Sequence, residues 1–574
     1  MRKITAIPAS PGIAIGPVFV YQPVKVEVPR CQVQDTAQEW ERLKAALLKT
    51  IQALDKDVQQ AKVKLGANEA AIFEAHKEML DDPELLEAAR KQILDQCQNA
   101  EAAIDDAAEF YAKTLEDMQD EYFRARAADI RDVKKRVIQN LLGIEPGAAF
   151  AGLKRPSIIV AHDLTPSDTI ALDKSLVLGF VTAYGGPTSH TAILARGLGI
   201  PAVVGTGEAI LDLVTGLEVI VDGHQGQVIS DADAGLIRKY RQQKESESIS
   251  MQAALKKARQ PAVTSDGHKV EVAANIGSVK EAANAVTYGA EGVGLLRTEF
   301  VYLHQERLPS EEEQYQVYKQ ILDEFGDFPV ILRTLDIGGD KEVPYLNIAQ
   351  EMNSFLGVRA VRLCLGRPDL FKPQLRAALR AAQGHAMRIM FPMIATVQEV
   401  VKARRVMEEC RQELLAEGHA LPDPVSTGIM VEIPSAVLLA DHLSKVVDFF
   451  SIGTNDLTQY TMAADRTNPT VGYLSSAFSP AVLRLIADLI VVAHKNGKWV
   501  GMCGELAGEP LAVPILLGLG LDEFSMNAPA IPGIKEIIRS LSYKECTHIA
   551  QEALKFSESE EVQDYIRKTL PGIK

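Results

Sequence analysis

The feature that most constrains the fold is a regular alternation that begins near residue 266 and continues almost to the end of the chain. Short apolar runs alternate with amphipathic helical stretches, a pattern typical of a parallel α/β sheet. The candidate strands are 270–276, 292–298, 329–336, 387–394, 427–433, 448–454, 498–504 and 522–527. Eight strand–helix units in a stretch of this length predict a (β/α)₈ TIM barrel, with an open doubly wound sheet as the alternative.

The first half of the 574-residue chain is organised differently. Residues 157–229 alternate short β-branched runs with turns, which predicts a compact α/β unit that also includes the N-terminal strands. Residues 35–142 show long helical periodicity interrupted at Gly66, which predicts an inserted bundle of about four helices. We therefore expect an α/β domain of residues 1–30 plus 144–230, a helical insert at 31–143, a linker helix at 231–262 and the barrel at 263–574.

Charge and cysteine content argue against several classes of protein. The net charge of −15 argues against nucleic-acid binding, because phosphate backbones need a basic surface. The 6 cysteines are scattered without a C-x-x-C pair, which favours a reducing, cytoplasmic setting over a disulfide scaffold or a zinc site. No run approaches the roughly 18 apolar residues of a membrane span, and prolines break the apolar N-terminus that resembles a signal peptide.

Charged and reactive side chains recur at the carboxyl ends of the predicted barrel strands, where barrel active sites lie. Strand two ends in Arg297-Thr298-Glu299 and strand three in Arg333-Thr334-Leu335-Asp336, while Glu432, Asp456 and Cys503 follow later strands. A polar loop start would explain one such residue, but not their convergence. Arginine forks suit phosphate or carboxylate oxygens, and carboxylates are ligands that Mg²⁺ prefers, so the set predicts an anionic substrate and a divalent metal. Cys503 fits a small core residue and an acid–base group equally well.

A second chemical feature is the segment Gly185-Gly186-Pro187-Thr188-Ser189-His190. The glycines and the proline predict a tight turn, and Thr188 or Ser189 can cap the helix that follows. His190 would then lie in or beside the first helical turn, where free backbone N–H groups attract phosphate. A neutral imidazole is a competent nucleophile toward phosphorus, although an isolated histidine at a helix start more often has no chemical role.

Together these segments resemble those of a known family. Residues 185–205 are similar to the phosphohistidine signature of the phosphoenolpyruvate-utilising enzymes. Four barrel segments resemble the branch that phosphorylates a protein: Gly292–Phe300, Leu332–Lys341, Ser451–Arg466 and Gly501–Gly508. The resemblance covers essentially the whole chain. It implies that the chain moves the phosphoryl group of phosphoenolpyruvate (PEP) to its own histidine and then to a histidine of the carrier protein HPr, releasing pyruvate in the first step of sugar phosphotransfer.

The resemblance also implies roles for individual residues. His190 matches the phosphorylated histidine, Cys503 the residue that protonates the enolate, and Thr169 a hydroxyl that supports the histidine. The positions that match substrate-binding residues are Arg297, Arg333, Arg359, Asn455, Asp456 and Arg466. Glu432 and Asp456 match the protein ligands of Mg²⁺. Ser354 stands where the family commonly has a proline ahead of Arg359, and Pro187 follows the glycine pair where other residues also occur.

The implied partners are HPr, which would dock on the helical insert, and a second copy of the chain, which would bind through the barrel. The residues expected to contact HPr are Met79, Leu80, Asp82, Glu84 and Leu85. Residues 101–121 also carry eight acidic side chains against Lys113 alone, a run that fits either docking or an ordinary solvated face. Because one histidine must serve both PEP and HPr, we expect the histidine domain to move between them.

Three other functions compete with this one. A pyruvate-phosphate dikinase or a PEP synthase couples the same histidine to ATP through an additional nucleotide-binding domain, and no G-x-x-x-x-G-K-[ST] loop occurs here. A nitrogen-regulatory paralogue usually carries an extra N-terminal sensory domain, which we do not expect here. A non-catalytic regulatory paralogue would have lost the reacting residues, yet His190, Arg297, Arg333 and Cys503 are all present.

Overall fold

The structure, a computed structural model, consists of two units, Met1–Ser248 and Ile249–Lys574. It describes residues 2–22, 27–64, 67–116, 121–144, 150, 152–170, 172–186, 189–303, 307–339, 343–346, 348–349, 351–422, 424–466, 468 and 471–573. For some of these residues, His190 among them, it describes the backbone only. The predicted helix break at Gly66, the candidate cap Thr188 and the acids Asp117 and Asp120 lie outside the described residues.

The first unit combines an eight-stranded sheet with a set of helices. Its strands are β1 (Arg2–Thr5), β2 (Ile7–Ser10), β3 (Ile13–Val20), β4 (Ser157–Ala161), β5 (Val177–Thr182), β6 (Ala202–Val204), β7 (Glu218–Asp222) and β8 (Gln227–Ser230). The helices that begin in this unit are α1 (Thr36–Lys64), α2 (Ala67–Leu80), α3 (Pro83–Gln96), α4 (Ala100–Glu116), α5 (Glu121–Leu142), α6 (Pro166–Ile170), α7 (His190–Leu198) and α8 (Ala234–Lys256).

The N-terminal strands belong to the α/β sheet, as the sequence predicts. The strand order is β1-β8-β7-β3-β4-β5-β6-β2, and β3 pairs in parallel with β4 and antiparallel with β7. Alternate residues of the strands face opposite sides, so that Ile159 and Phe180 join one apolar cluster and Val160 and Val181 join another. The chain between β3 and β4 is therefore an insertion into a sheet that is covered on both faces.

The described residues of the insertion form five helices, α1 to α5, where the sequence predicts about four. They pack around buried side chains that include Leu43, Leu54 and Ile104. Helix α3 begins as the sequence indicates, because the Asp82 carboxylate accepts hydrogen bonds from the backbone N–H groups of the first turn. It ends at Gln96, and the cap residue Cys97 has a left-handed φ of 55° at a place where a glycine is usual. That unmarked break makes the sequence difficult to divide at this point.

In the second unit, the residues that the structure describes form nine strands. They are β9 (Ala262–Val263), β10 (Lys269–Ile276), β11 (Val293–Arg297), β12 (Val330–Arg333), β13 (Met387–Phe391), β14 (Ser426–Val431), β15 (Phe449–Ile452), β16 (Trp499–Met502) and β17 (Glu523–Met526). Its helices are α9 (Val279–Thr287), α10 (Phe300–Leu303), α11 (Glu311–Phe325), α12 (Val361–Gly366), α13 (Pro368–Ala381), α14 (Val397–Ala416), α15 (Pro434–Leu438), α16 (Ala440–Leu443), α17 (Thr454–Met462), α18 (Pro480–Lys495), α19 (Val513–Leu519), α20 (Ile531–Ser540), α21 (Tyr543–Ala553) and α22 (Ser559–Thr569). No helix in the described ranges combines the length and the apolar composition that crossing a membrane requires.

Strands β10 to β17 form a closed parallel barrel, which confirms the predicted fold and excludes the open sheet. The order runs from β11 to β17, then β10, and a β10–β11 pairing closes the ring. Every neighbouring pair in this ring is parallel, and β9 adds to β10 in the antiparallel sense. Each predicted strand overlaps an observed one. The interior is filled by a cluster that includes Leu295, Ile331, Met390, Met430 and Phe449.

A buried lysine fixes the chain at the amino end of β11. The Lys535 ammonium group is fully buried and donates hydrogen bonds to the carbonyls of Ala258 and Gly289 at 3.0 and 2.7 Å. Its counter-charge is Glu291, whose Oε1 lies 3.3 Å away. Because Glu291 precedes β11, this ion pair lies at the end of the strand opposite to the carboxyl end.

Candidate active site

The carboxyl ends of the barrel strands bring the predicted residues of the second unit together. Arg297 at the end of β11 is paired in register with Arg333 at the end of β12. Glu432 and Cys503 directly follow β14 and β16, which flank β15 on either side. Helix α17 begins just after β15 and carries Asp456 in its first turn. We call this set of strand ends the barrel mouth.

The Arg333 guanidinium is held between two buried carboxylates. Its Nη2 lies 2.6 Å from Glu299 Oε1 and its Nη1 lies 2.9 Å from Asp336 Oδ2. The other oxygen of Asp336 lies 3.0 Å from Nη2 of Arg359, so one carboxylate joins two arginines. Burial alone would lower the pKa of Arg333, but Glu299, Asp336 and Glu432 outweigh that effect and raise it. Both arginines therefore stay charged inside the mouth.

Arg359 and Arg466 approach the same carboxylate from two sides. Arg359 Nη1 lies 3.6 Å from Asp456 Oδ1, and Arg466 Nη1 lies 3.9 Å from Asp456 Oδ2. Arg359 is buried, whereas the Arg466 side chain is about one-third exposed. The structure thus brings Arg359 into the mouth, even though Ser354 replaces the proline that the family pattern commonly has near it.

Strained backbone surrounds the mouth. Two of the five non-glycine residues with positive φ in the described part of the chain lie there: Ala360 at 52° and Met393 at 55°. Ala360 follows Arg359, and the Met393 N–H donates to Glu432 Oε1 at 2.6 Å. Such conformations cost about 1–3 kcal/mol each and persist where the surrounding structure requires them, often at functional sites.

Glu432 and Asp456 form a like-charged pair in a buried place. Burial, together with Asp456 and Asp336, raises the pKa of Glu432 well above its usual range. Asp456 Oδ1 is buried and accepts no hydrogen bond from any described residue. A divalent cation would relieve the repulsion and use that oxygen, so the pair fits a metal. Within the described ranges no three His, Cys, Asp or Glu side chains are grouped to bind a metal, so substrate and water would have to complete the shell.

Cys503 lies at the junction of the barrel core and the mouth. Its side chain packs in the interior cluster, and burial raises the pKa of its thiol to about 11, although Ser451 and Arg333 act in the opposite direction. The Ser451 hydroxyl lies 3.4 Å from Cys503 Sγ. The thiol is therefore protonated at neutral pH and able to donate a proton. Its predicted role as the acid stays a prediction.

Two substrate-binding candidates keep hydrogen-bonding groups available. Arg297 is half-buried, and no residue in the described ranges forms a hydrogen bond or an ion pair with its guanidinium. Asn455 accepts a hydrogen bond from the Glu505 N–H at its Oδ1, 3.1 Å away, which fixes the amide and leaves its NH₂ group as a donor. Both side chains therefore suit an anionic ligand.

His190 is the first residue of helix α7 in the first unit. Ser189 caps this helix, with its Oγ accepting a hydrogen bond from the Ala192 N–H at 3.4 Å, so it fills one of the two cap positions that the sequence allows. The backbone of His190 thus lies beside N–H groups at the positive end of the helix. Thr169, in α6, donates its hydroxyl to the Pro166 carbonyl at 2.7 Å. Its support of His190 stays a prediction.

The predicted HPr-docking residues differ in exposure. Leu80 and Leu85 are buried in the core of the helical insert, while Met79 is half-buried. Asp82 and Glu84 are exposed, although Asp82 also caps α3. The two leucines therefore serve the core, because apolar side chains at this turn complete the packing between helices. Docking on this surface stays a prediction that rests on the other three residues.

Sequence reasoning missed two classes of functional candidate. Glu299 and Asp336 were visible at strand ends, but only the register of β11 and β12 shows that they pair with arginines. On the insert, Phe110 is 67% exposed beside Tyr111, whose pKa is raised by burial and by Glu84 and Asp82. An aromatic pair in an alanine-rich helix was the available signal.

Comparison with known families defines the class of the chain. The descriptions that match are PEP-utilising enzyme, N-terminal, over residues 5–126; PEP-utilising enzyme, mobile domain, over 153–226; and PEP-utilising enzyme, PEP-binding domain, over 252–543. Together they follow the order of insert-bearing α/β sheet, histidine segment and barrel. This is the class that the fold and the two partial sites define.

Individual relatives narrow the class. Phosphoenolpyruvate-protein phosphotransferase of Geobacillus stearothermophilus is 47% identical over 568 residues, which is 99% of this chain and 98% of the relative. The protein of the same name from Bacillus subtilis (strain 168) is 46% identical over 570 residues, 99% of this chain and 100% of the relative. An NMR solution structure of Enzyme I (nEIt) is 39% identical, covers 43% of this chain and 99% of its own, and has a TM-score of 0.37. The chain belongs to the phosphoenolpyruvate-protein phosphotransferase family of PEP-utilising enzymes.

Proposed function

We propose that this chain transfers the phosphoryl group of PEP to its own His190 and then to a histidine of HPr, releasing pyruvate. The observation that carries the proposal is the barrel mouth, where paired and unpaired arginines meet two carboxylates suited to a metal. Full-length relatives at 46–47% identity that are named for this activity support it. The reaction is the first step of the sugar phosphotransferase system.

Substrate binding would use the charges of the mouth. Arg297, Arg333, Arg359 and Arg466 supply donors to the phosphoryl and carboxylate oxygens, and Asn455 adds an amide donor. Phosphoryl transfer depends mainly on positioning and on neutralising the charge of the equatorial oxygens. The buried arginines meet that need because they stay charged away from bulk water.

The chemistry would proceed in two transfers. A ring nitrogen of His190 forms a bond to phosphorus while the bond from phosphorus to the enol oxygen breaks, and the electron pair stays on the enolate. The Cys503 thiol then gives its proton to the methylene carbon of the enolate, which yields pyruvate. The phosphoryl group finally leaves His190 for the HPr histidine. Thr169 would support His190, and the histidine domain would move between the two partners.

Mg²⁺ is the metal that we propose, held by Glu432 and Asp456. The raised pKa of Glu432 and the buried Oδ1 of Asp456, which accepts no hydrogen bond from a described residue, support this fit. When bound, the metal supplies positive charge that draws electrons from the phosphoryl oxygens. Binding of the metal would also offset the repulsion between the Glu432 and Asp456 carboxylates.

The surface of the helical insert is the proposed dock for HPr. Exposed Asp82 and Glu84 provide an acidic rim, and half-buried Met79 and exposed Phe110 provide apolar contact area. An apolar centre with a charged rim is the usual composition of a transient interface. The partner would accordingly carry basic side chains around an apolar patch.

A homodimer through the barrel is the proposed assembly. The proposal rests on the family relationship alone, because the exposed apolar side chains between β12 and α12 (Met352, Leu356 and Val358) lie at the carboxyl end of the barrel, where the substrate must enter. Sedimentation of the full chain across a range of concentrations would reveal the dimer, and a monomer at every concentration would overturn this assembly.

Incubation with labelled PEP tests the function. With Mg²⁺ and without ATP, wild-type protein should take up an acid-labile label, and purified HPr should then remove it. His190→Ala should take up none, while it still binds PEP through the barrel. A requirement for ATP would favour the dikinase or synthase alternative, and no label under any condition would favour a non-catalytic protein.

A further inference from the structure

The barrel mouth contains two carboxylates to which the proposed reaction gives no role. Glu299 and Asp336 are 1% and 1% exposed, and neither is a candidate substrate or metal ligand. They contact the substrate-binding arginines instead. Burying a carboxylate is costly unless it is paired, so two of them in one mouth need a physical explanation.

Their contacts immobilise both Nη groups of Arg333. Glu299 holds Nη2 at 2.6 Å and Asp336 holds Nη1 at 2.9 Å. A planar guanidinium that is paired at both Nη groups cannot rotate out of its plane without breaking a charge-assisted hydrogen bond. Its Nε is buried and donates to no acceptor among the described residues, so a hydrogen-bond donor of the held group stays unused.

Asp336 extends the same control to Arg359. Its Oδ1 accepts from Arg359 Nη2 at 3.0 Å while its Oδ2 pairs with Arg333, so the two arginines are fixed relative to each other. The Nε of Arg359 is likewise buried without an acceptor in the described part of the chain. A single carboxylate thus sets the spacing of two cations.

The backbone that carries these groups is also fixed. The Thr298 hydroxyl donates to the Arg333 carbonyl at 2.8 Å, which ties the loop after β11 to the end of β12. The Leu335 N–H donates to Gln374 Oε1 at 2.9 Å, which ties the loop after β12 to helix α13. The carboxylates therefore act from rigid supports rather than from mobile loops.

The balance of positive and negative charges in the barrel mouth explains why Glu299 and Asp336 are buried beside the arginines. Among the described residues named above, four arginines lie at the mouth with four carboxylates: Arg297, Arg333, Arg359 and Arg466, with Glu299, Asp336, Glu432 and Asp456. The last two carboxylates are the proposed metal ligands, whereas Glu299 and Asp336 stay with the arginines. They keep like-charged guanidinium groups together before an anion arrives, at the cost of part of the attraction for that anion.

We infer that Glu299 and Asp336 are positioning residues for the reaction, which hold Arg333 and Arg359 in the orientation that the phosphoryl group needs during transfer. The inference rests on the proposed function. This role can be told apart from a role in attracting PEP, because removing the negative charge of Glu299 or Asp336 makes the mouth more positive. Loss of a positioning residue should therefore slow the transfer step much more than it weakens PEP binding.

Single-turnover labelling of His190 by PEP and Mg²⁺ tests this separation. Glu299→Gln and Asp336→Asn keep shape and remove charge. Each should lower the labelling rate at saturating PEP by about 10- to 100-fold, the loss expected when a catalytic group is misplaced by about 1 Å. The PEP concentration for half-saturation should change by less than about threefold. The matched control is Glu291→Gln, which removes a carboxylate from fully buried Lys535 at the opposite end of β11 and should leave both constants unchanged.

The outcomes distinguish this inference from the proposed function. If wild type is labelled and both variants retain the wild-type saturating rate within about twofold, the positioning role is wrong while the function stands. An equal loss of rate in Glu291→Gln would also overturn it, because the effect would then be a general result of destabilising the barrel. If the wild-type protein takes up no label, the proposed function and the positioning role are both wrong. Should Glu299→Gln fail to fold, Asp336→Asn carries the same criteria.

Discussion

The barrel mouth and the start of helix α7 differ in the kind of charge that they offer to a phosphoryl group. In the mouth, Arg333 and Arg359 are buried full charges that carboxylates already pair. At α7 the groups that the structure describes at the helix start are the Ser189 cap and the N–H groups of the helix terminus, all of them neutral. A helix terminus contributes only about half an elementary charge. The charges of the barrel mouth therefore suit tight binding of a highly charged anion, whereas the start of α7 suits only weak electrostatic attraction of a phosphoryl group.

That difference suits a carrier of phosphoryl groups. A residue that must give the group away within one cycle should not hold it with several full charges, because each would have to be released again. A site that drives bond cleavage benefits from fixed charge, since stabilisation of the transition state grows with it. The following predictions test this contrast, in order of decreasing effect.

The largest effect is expected from Arg333→Met. Glu299 and Asp336 would lose a cation that both of them contact, and breaking buried pairs of this kind costs about 3–5 kcal/mol. We expect the melting temperature of the barrel to fall and labelling of His190 to slow by at least about a thousandfold. Calorimetry and single-turnover labelling measure the two effects.

A suitable control for Arg333→Met is Arg376→Met. Arg376 contacts three carboxylates, those of Glu311, Glu413 and Glu417, but on the outer helices, where these carboxylates are partly exposed and can be hydrated. Its loss should cost less than about 1 kcal/mol. Equal melting temperatures for the two variants would show that the mouth is not as dry as its burial indicates.

Arg297→Ala should separate binding from stability. Arg297 has no charged partner within the described residues, so its removal strands no buried carboxylate. We expect the PEP concentration for half-saturation to rise about 10- to 100-fold, consistent with about 1.5–3 kcal/mol for a hydrogen bond to a charged group, with an unchanged melting temperature. A fall in melting temperature like that of Arg333→Met would contradict the distinction between paired and free arginines.

The pKa of Cys503 predicts a difference in the pH dependence of stability. Because burial raises the pKa of the thiol to about 11, above its value near 8.5 in the unfolded chain, Cys503 contributes stability that is fully present below about pH 8.5. That contribution is lost as pH rises toward 11. Between pH 8 and 10 we expect wild type to lose about 2 kcal/mol more than Cys503→Ala, measured by urea unfolding. Parallel pH profiles would exclude this effect of burial.

The smallest effect is expected from Ser189→Ala. Loss of the cap leaves the Ala192 N–H without its side-chain partner and costs about 1 kcal/mol locally. We expect phosphoryl transfer in either direction to slow by less than about tenfold, measured by quenched flow, with PEP binding unchanged. Ser189→Asp restores a cap but adds a negative charge, so it should recover helix stability without recovering the rate. A loss as large as that of Arg333→Met would remove the contrast between the two regions.

The sequence was sufficient for the barrel and for most of the mouth, for a physical reason. Strand ends in a parallel barrel all meet at one rim, so a list of residues that follow apolar runs is already a list of neighbours. The pairing of Glu299 and Asp336 with particular arginines could not be derived, because it depends on the register of β11 against β12. The burial of Leu80 and Leu85 could not be derived either, since mixed acidic and apolar runs do not show which side of a helix faces its neighbours.

The pairing of β3 with β4 has a consequence for anyone who wishes to cut this chain. The two strands are parallel neighbours, so the polypeptide leaves at the carboxyl end of β3 and must return to the opposite end of the sheet, where β4 begins. The helical insert is thus a crossover connection enlarged into a bundle rather than an attachment on a hairpin. A shortened chain cannot join the strands by a tight turn, and any replacement segment needs about a dozen residues or more to span the sheet.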